Sequence, residues 1–551
     1  MKYFSYYVER LKFSYMSKLV LSSFFAAVMM AFILVTGSSI QLYDTNRFVI
    51  AVFFALLYFA GMAIFFYGKS TEKVETIFVF AALLAAALYI RCSLMYYASG
   101  DYNTFLKGWI AQLSQYKGLD GLKASIGDYT MPYRYFLLLL SKIGGNHVTE
   151  IKMFSLCFDI LGAYYIMKIV EMKSKSTALR NFGFILPLLA PTSFLNSAMW
   201  GQCYMIYVAF CLGGIYYALN NKGRAAVIMA SIAFCFKLQT IFFAPVFLIL
   251  FFIGKIRWRD LLWFPAVLFI SVLPAIFAGA NPIAALSPYI IQVGEYPRLT
   301  LNLPSIWVFA YGDRQLPFSN FNMIGIMLAG AAAVSLVYMG YKYRHKLDLR
   351  QIINITFIGA LMIPFLLPRM HDRYLFAADM MAIVYFFYNK KRWYVPLVVI
   401  FSSFVAYSRF LYSGGDNFSF QTLALTLIGV LALTLYELVN ELINGPAPKN
   451  PLCTKEDCRI AETISERIDA MRNEGRFSDA AAEMGLFEAC RRALEDLSET
   501  EGVLSHAAFV ELLNLAFSYA KIGALPSSPT SLAAGDVSFV RLKKVRHLFL
   551  L

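Results

Sequence analysis

The sequence carries little charge. Only 15% of its 551 residues are Asp, Glu, Lys or Arg, against 59% that are hydrophobic, whereas a soluble globular chain has about 25% charged residues. That shortage excludes an ordinary water-soluble enzyme, and the apolar excess excludes a disordered chain. Histidine and cysteine are sparse too, five and eight in the whole chain. Cys92, Cys157, Cys203, Cys211 and Cys235 are scattered in or beside apolar runs, and Cys453/Cys458 has neither the spacing nor the second pair of a structural zinc site. Neither a disulfide scaffold nor a metal cluster is expected. No P-loop, dinucleotide fingerprint, HExxH or nucleophile elbow occurs in a fitting context, and no repeat recurs at a fixed period.

What the chain does have is long apolar runs. A bilayer core about 30 Å thick needs about 20 apolar residues per helix, fewer where neighbouring helices shield the ends. On that rule spans fall near 18–36, 48–67, 74–94, 149–170, 181–196, 200–220, 225–236, 240–254, 261–279, 321–343, 352–367, 374–389, 394–412 and 420–443. The expected fold class is an all-α integral membrane bundle of about fourteen transmembrane helices. Lys2, Arg10, Lys12 and Lys18 precede the first run, as in a secretory signal, but that run is long enough to span and many follow, so an uncleaved first helix is expected.

The net charge of +15 is unevenly placed: residues 1–450 hold 37 Lys+Arg against 19 Asp+Glu, and 451–551 hold 12 against 15. The excess lies in short loops, where it sets topology, and is no nucleic-acid footprint. Lys69/Lys73, Lys173/Lys175/Arg180, Lys222/Arg224, Lys255/Arg257/Arg259, Lys342/Arg344/Lys346/Arg350 and Lys390/Lys391/Arg392 fall in alternate loops, on the side of the N-terminus. Both termini are then cytoplasmic, and the expected address is a bacterial plasma membrane, since no retention signal ends the chain. The apolar segment 132–143 has only twelve residues and reads as a helix lying at the outer interface. Outer loops 95–148 and 280–320 exceed the roughly 12–15 residues above which a loop usually carries function. The organisation expected is 1–73, a cytoplasmic segment and two peripheral spans; 74–443, the main transmembrane domain; 444–451, a Gly/Pro-rich linker; and 452–551, a small cytoplasmic tail with charged amphipathic helices near 463–473, 478–497 and 507–522.

The informative polar residues fall on the expected outer face. They are Asp101 in Gly100-Asp101-Tyr102, with Trp109 nearby; Asp128 and Tyr129 in a second Gly-Asp-Tyr triplet before Pro132; Trp200-Gly201-Gln202-Cys203-Tyr204; Phe236-Lys237-Leu238-Gln239; and Arg369, His371, Asp372, Arg373 and Tyr374. The second long loop adds Glu295, Tyr296, Arg298 and Asn302, with Asp313 and Arg314 further on. Singly, each has a plain reading as a solvated charge, a helix-starting turn, an interface aromatic or a snorkelling lysine. Together, carboxylates and cations beside lipid headgroups suit transfer of a group from a lipid phosphate to a hydroxyl. One carboxylate takes the acceptor proton, and cations stabilise the leaving phosphate.

Over about residues 75–415 the sequence resembles the C-type (GT-C) superfamily of integral-membrane glycosyltransferases. Within it the likeness is to the branch with the dolichyl-phosphate-glucose glucosyltransferases of N-glycan assembly and the second mannosyltransferase of GPI-anchor synthesis, with bacterial relatives. It rests on GDYNTFLKGW, GDYTMPY, SAMWGQCY, FKLQTIFFAP and RMHDRY, in the family's order. The resemblance implies an inverting transfer of a mannose- or glucose-type hexose from a polyprenyl phosphate to a lipid-linked glycan or cell-surface acceptor. It implies Asp101 as general base, Asp128 as a second acidic position, Lys237 and Gln239 near the donor phosphate, and His371-Asp372-Arg373 where relatives carry a His-Glu-Lys-like triplet. Trp200, Gln202, Tyr129 and Arg298 are expected to line the substrate site. Met131 stands where a Pro-Pro pair is common, and Tyr204 where relatives often have Asp or Asn. No cofactor is required, although the acidic pair leaves room for a loosely bound Mg²⁺ or Mn²⁺. The other readings are a lipid-linked-sugar transporter or flippase, and a polysaccharide polymerase or ligase using a diphosphate donor.

Overall fold

In the computed structural model the chain divides into two compact units, Met1–Leu452 and Cys453–Leu551. The described residues are 11–12, 14–37, 44–69, 71–124, 126–291, 298–310, 318–412, 418–446, 448 and 451–452. The second unit, with the expected tail helices, lies outside them, as do Glu295, Tyr296, Asp313 and Arg314.

The principal helices of the first unit are α1 (Tyr15–Thr36), α2 (Asp44–Phe66), α3 (Val74–Ser93), α4 (Lys107–Ser114), α5 (Met131–Lys142), α6 (His147–Lys173), α7 (Thr177–Leu189), α8 (Tyr204–Leu219), α9 (Gly223–Phe236), α10 (Ala244–Phe252), α11 (Trp263–Phe277), α12 (Phe318–Lys342), α13 (Leu349–Leu366), α14 (Phe376–Tyr388), α15 (Tyr394–Tyr412) and α16 (Phe420–Asn444). Among the described residues strand is confined to two short pairs. Leu11–Lys12 (β1) lies antiparallel to Thr71–Glu72 (β2), and Thr300–Leu301 (β3) runs parallel to Met370–His371 (β4).

Among the described residues nine helices are long and apolar enough to cross a membrane, or ten when one bent pair counts as a span. The chain is therefore an all-α, multi-pass membrane protein. Of the fourteen spans expected, four correspond to shorter apolar helices, Tyr204–Leu219, Gly223–Phe236, Leu238–Phe252 and Phe376–Tyr388. Sixteen residues of helix reach only about 24 Å, less than the core of a bilayer. The expected span 181–196 is the bent pair, two helices meeting at 51°. The expected interfacial helix is α5; its 12 residues, about 18 Å of helix, are too few to cross. The loop holding it also contains α4, which the sequence reading did not anticipate.

Helices α1, α2 and α3 form one apolar cluster with α6 and α7, through residues such as Ile33, Phe54, Leu84, Leu156 and Phe184. A second cluster joins α4 and α5 to α6, α8 and α11 through Leu113, Leu137, Ile151, Ile206 and Val272. The basic loops gather at one end of the bundle. Arg180 donates to the Ile64 and Phe65 carbonyls, Lys173 to those of Phe387 and Tyr388, Asn220 to the Met172 sulfur, Lys255 to Asn221 and Arg350 to Asn389. The opposite ends of the same helices bring the acidic and aromatic motifs together.

Candidate functional site

The site begins where α3 stops. Lys152, buried on α6, sends Nζ to three carbonyls beyond that helix end, Leu94 at 2.9 Å, Met95 at 3.3 Å and Tyr97 at 2.6 Å. A donor there ties together carbonyls of the turn that follows the helix. The segment leading to Asp101 is thereby fixed, and Ser99 Oγ ties it to the Trp200 carbonyl at 2.8 Å. Just past Asp101 the chain widens into a π-type turn, Tyr102–Leu106, a feature frequent at functional sites.

The second wall follows from a proline. Pro191 cannot continue α7, and Ala190 before it is extended at φ −63, ψ 127. The chain therefore bends, restarts and ends in another π-type turn, Leu195–Trp200. A buried ion pair braces this turn. Arg91 Nε lies 2.8 Å from Asp159 Oδ2, and both side chains are 1% exposed. Arg91 also donates to the Leu188 carbonyl and Ser193 Oγ, while Ser197 Oγ donates to Asp159 at 2.6 Å. Gly201 then takes φ +76, a left-handed turn that a side chain disfavours, and this aims Gln202 back at Asp101.

Three donors converge on one oxygen. Asp101 Oδ2 accepts from Trp200 Nε1 at 3.0 Å and Gln202 Nε2 at 2.7 Å, and Arg373 NH2 lies 3.4 Å away. None of them uses Oδ1. Trp200 is itself held between Tyr407 and Phe410, stacked on the latter at 4.6 Å. Arg373 reaches Asp372 at 3.4 Å, lies beside Tyr204 and sits 5.1 Å from the Trp200 ring centroid.

Lys237 breaks the apolar run between α9 and the turn Leu238–Phe243, with extended backbone at φ −149. Its Nζ lies over two rings, Tyr204 at 4.2 Å and Tyr129 at 5.3 Å, within cation–π range. Tyr129 stacks on Tyr133 at 4.3 Å. Gly127 before it has φ +70, and a Cβ there would meet the Trp109 ring at 2.8 Å, so only glycine lets Trp109 close on this turn. Gln239 lies beside Tyr374, which packs against Tyr204 and His371.

The loop 370–375 is held by β3 and by two links, Arg369 N to the Leu299 carbonyl and Asp372 N to the Leu301 carbonyl. Arg369 and Asn302 both adopt φ +63, strain of a kind that clusters at ligand sites. Burial, and then the charges of Arg373 and Lys237, push His371 down to about 2. It is a neutral hydrogen-bonding group here and adds no charge to the cations. Burial, opposed by Arg373 and reinforced by Asp101, pushes Asp372 up to about 7. Burial also works against the charge of Arg373, but Tyr204, Asp101 and Asp372 outweigh it and hold the guanidinium well above its ordinary value. Gln202 Oε1, Gln239 Oε1 and Arg373 Nε are among the buried polar atoms of the described residues that have no hydrogen-bond partner. Unsatisfied groups clustered like this point to a ligand.

Asp101, Trp200, Gln202, Lys237, Gln239, His371, Asp372, Arg373 and Tyr129 are thus brought together. Asp128 lies half-buried in the Gly127–Tyr129 turn, and Arg298 is exposed two residues before β3. Among the described residues no group of three or more His, Cys, Asp or Glu side chains could hold a metal ion. The sequence places Tyr204 and Tyr374 in the outer clusters but gives neither a role at the substrate site; in the structure Tyr204 lies under Lys237 and beside Arg373. No protein-family model matches the chain, and no curated protein matches it significantly.

Proposed function

We propose that this membrane protein is an inverting glycosyltransferase of the GT-C type, moving a mannose- or glucose-type hexose from a polyprenyl monophosphate to a hydroxyl of a lipid-linked glycan or cell-surface acceptor. In this reading the chain crosses the membrane about fourteen times with both termini cytoplasmic, and the Asp101 end faces outward. The observation that carries the reading is the oriented carboxylate: three donors occupy Oδ2 of Asp101 and leave Oδ1 to meet the acceptor.

Asp101 Oδ1 takes the acceptor proton as the hydroxyl oxygen attacks the anomeric carbon in line. The bond from that carbon to the phosphate oxygen breaks, and its electron pair leaves on the polyprenyl phosphate. Lys237 and Arg373 stabilise the developing charge in a site walled by Tyr129, Tyr204 and Tyr374, where low polarity strengthens the attraction. Gln202 Oε1 and Gln239 Oε1 are acceptors for sugar or acceptor hydroxyls. A transporter would need acids free to alternate near the membrane midplane; Asp159 and Asp379 are instead tied to Arg91 and Ser403.

The test is transfer in nanodiscs, using the purified full chain, radiolabelled polyprenyl-phosphate mannose or glucose, and a membrane lipid extract. Label is expected in a new product with the wild type, and about 10²- to 10⁴-fold less with Asp101→Asn. Equal transfer by the variant, or no consumption of either donor, would overturn the reading. Polyprenyl-diphosphate donors then test the polymerase alternative.

A further inference from the structure

At the end of the bundle opposite Asp101 lies a cavity of about 740 Å³ among α6, α13, α16 and the turn after α14, a volume typical of small-ligand sites. Helix α14 separates the two sites: Arg373 precedes its first turn and Lys390 follows its last, and its 13 residues span about 20 Å. Five cations line the cavity, Lys173, Arg350, Lys390, Lys391 and Arg392, against two acids, Glu437 and Glu441.

The acids are already engaged. Arg350 donates to Glu441 at 2.8 Å, and Arg392 pairs with Glu437. Lys173 donates to the neutral carbonyls of Phe387 and Tyr388 and lies 5.1 Å from the Tyr388 ring centroid. Lys390 and Lys391 make no hydrogen bond or ion pair among the described residues. Among the described residues the cavity is therefore left with two cations, Lys390 and Lys391, that no carboxylate pairs with, and a third, Lys173, that feels Asp348 only at a distance. Asn389, Asn440 and Tyr436 add neutral hydrogen-bonding groups to its lining. Tyr436 and, beside Arg392, Trp393 are 69% and 59% exposed, as amphipathic rings are at headgroup level.

We propose that this cavity binds the phosphate of an anionic phospholipid headgroup, with Lys390 and Lys391 as its charge partners. Basic pockets between membrane helices on the cytoplasmic side hold such headgroups, and the positive-inside rule assigns this end to that side. The site is independent of the transferase reading and stands or falls without it.

The experiment titrates the full chain in neutral detergent with dioleoyl phosphatidylglycerol, and separately with dioleoyl phosphatidylcholine, read by native mass spectrometry. Phosphatidylglycerol is expected to bind about tenfold more tightly, and Lys390→Gln/Lys391→Gln to weaken it roughly 25-fold, at about fivefold per lysine near an anionic surface. Lys107→Gln/Lys117→Gln, at the other end of the bundle, should bind as the wild type does. Displacement by excess inorganic phosphate would assign the site to a free phosphate; no displacement assigns it to the lipid. Equal binding of the two lipids, or unchanged binding by the Lys390/Lys391 variant at an unchanged melting midpoint, overturns the proposal.

Discussion

Gln202 Nε2 lies 2.7 Å from Oδ2 of Asp101, although 101 residues separate them. That bond exists because Pro191 bends one helix and Gly201 reverses the chain after it. Gln202→Leu leaves Trp200 and Arg373 on the same oxygen but frees the carboxylate to rotate. A hydrogen bond to a charged group contributes about 1.5–3 kcal/mol, so steady-state kinetics should show turnover about 10- to 100-fold lower.

Arg373 pairs with Asp101 and Asp372 at once and lies over the Trp200 ring. A lysine has no planar fork and cannot keep all three. Arg373→Lys is expected to raise the donor KM and lower kcat, each by about tenfold or more. Lys237→Gln, which leaves the carboxylate geometry untouched, should lower kcat, because the charge it stabilises develops as the bond breaks. Because these two cations supply the charge a divalent ion could carry, EDTA is expected to leave the wild-type rate within about twofold.

His371 and Asp372 impose opposite pH dependences on stability. The imidazole is depressed to about 2, so between there and its ordinary value the unfolded chain binds more protons than the folded one. Its contribution is lost as pH falls through that window. Asp372 is raised to about 7, so the folded chain holds the extra proton and stability declines as pH rises from the ordinary carboxylate value towards 7. Melting midpoints across this range should therefore show His371→Gln losing the acid-side decline and Asp372→Asn losing the neutral-side decline. Identical pH profiles for both variants and the wild type would contradict this account.

Arg91 and Asp159 form a fully buried pair under the turn that carries Trp200. Removing one partner strands the other charge, at a cost of about 3–5 kcal/mol, while replacing both with apolar residues costs far less. Arg91→Met should sharply lower the yield of monodisperse protein. The double variant Arg91→Met/Asp159→Leu should recover yield but stay slow, because Ser193 and Ser197 then lose their partners. Recovery of full turnover would show that the pair has no positioning role.

Much of the architecture was legible without coordinates. Apolar length alone marked the helices, because a span has to match a bilayer whose thickness does not depend on the protein. The short apolar segment at 132–143 was correctly separated from the spans by the same measure, and α5 occupies it. The helix ends were less legible. The expected span from residue 200 starts at Tyr204, since Leu195–Trp200 is a wide turn and Gly201 is left-handed.

The sequence by itself determined the membrane class, the placement of Lys and Arg in alternate loops, and the candidacy of Asp101, Gln202, Lys237 and Arg373. Those properties follow from composition and spacing, which act locally. Only the tertiary structure decided that Arg91 pairs with Asp159, that Lys152 closes the end of α3, that Tyr204 joins Lys237 to Arg373, and that five cations surround a cavity at the far end. Such pairings depend on which helices become neighbours. Neighbour choice comes from packing summed over many apolar contacts, and no short stretch of sequence carries it.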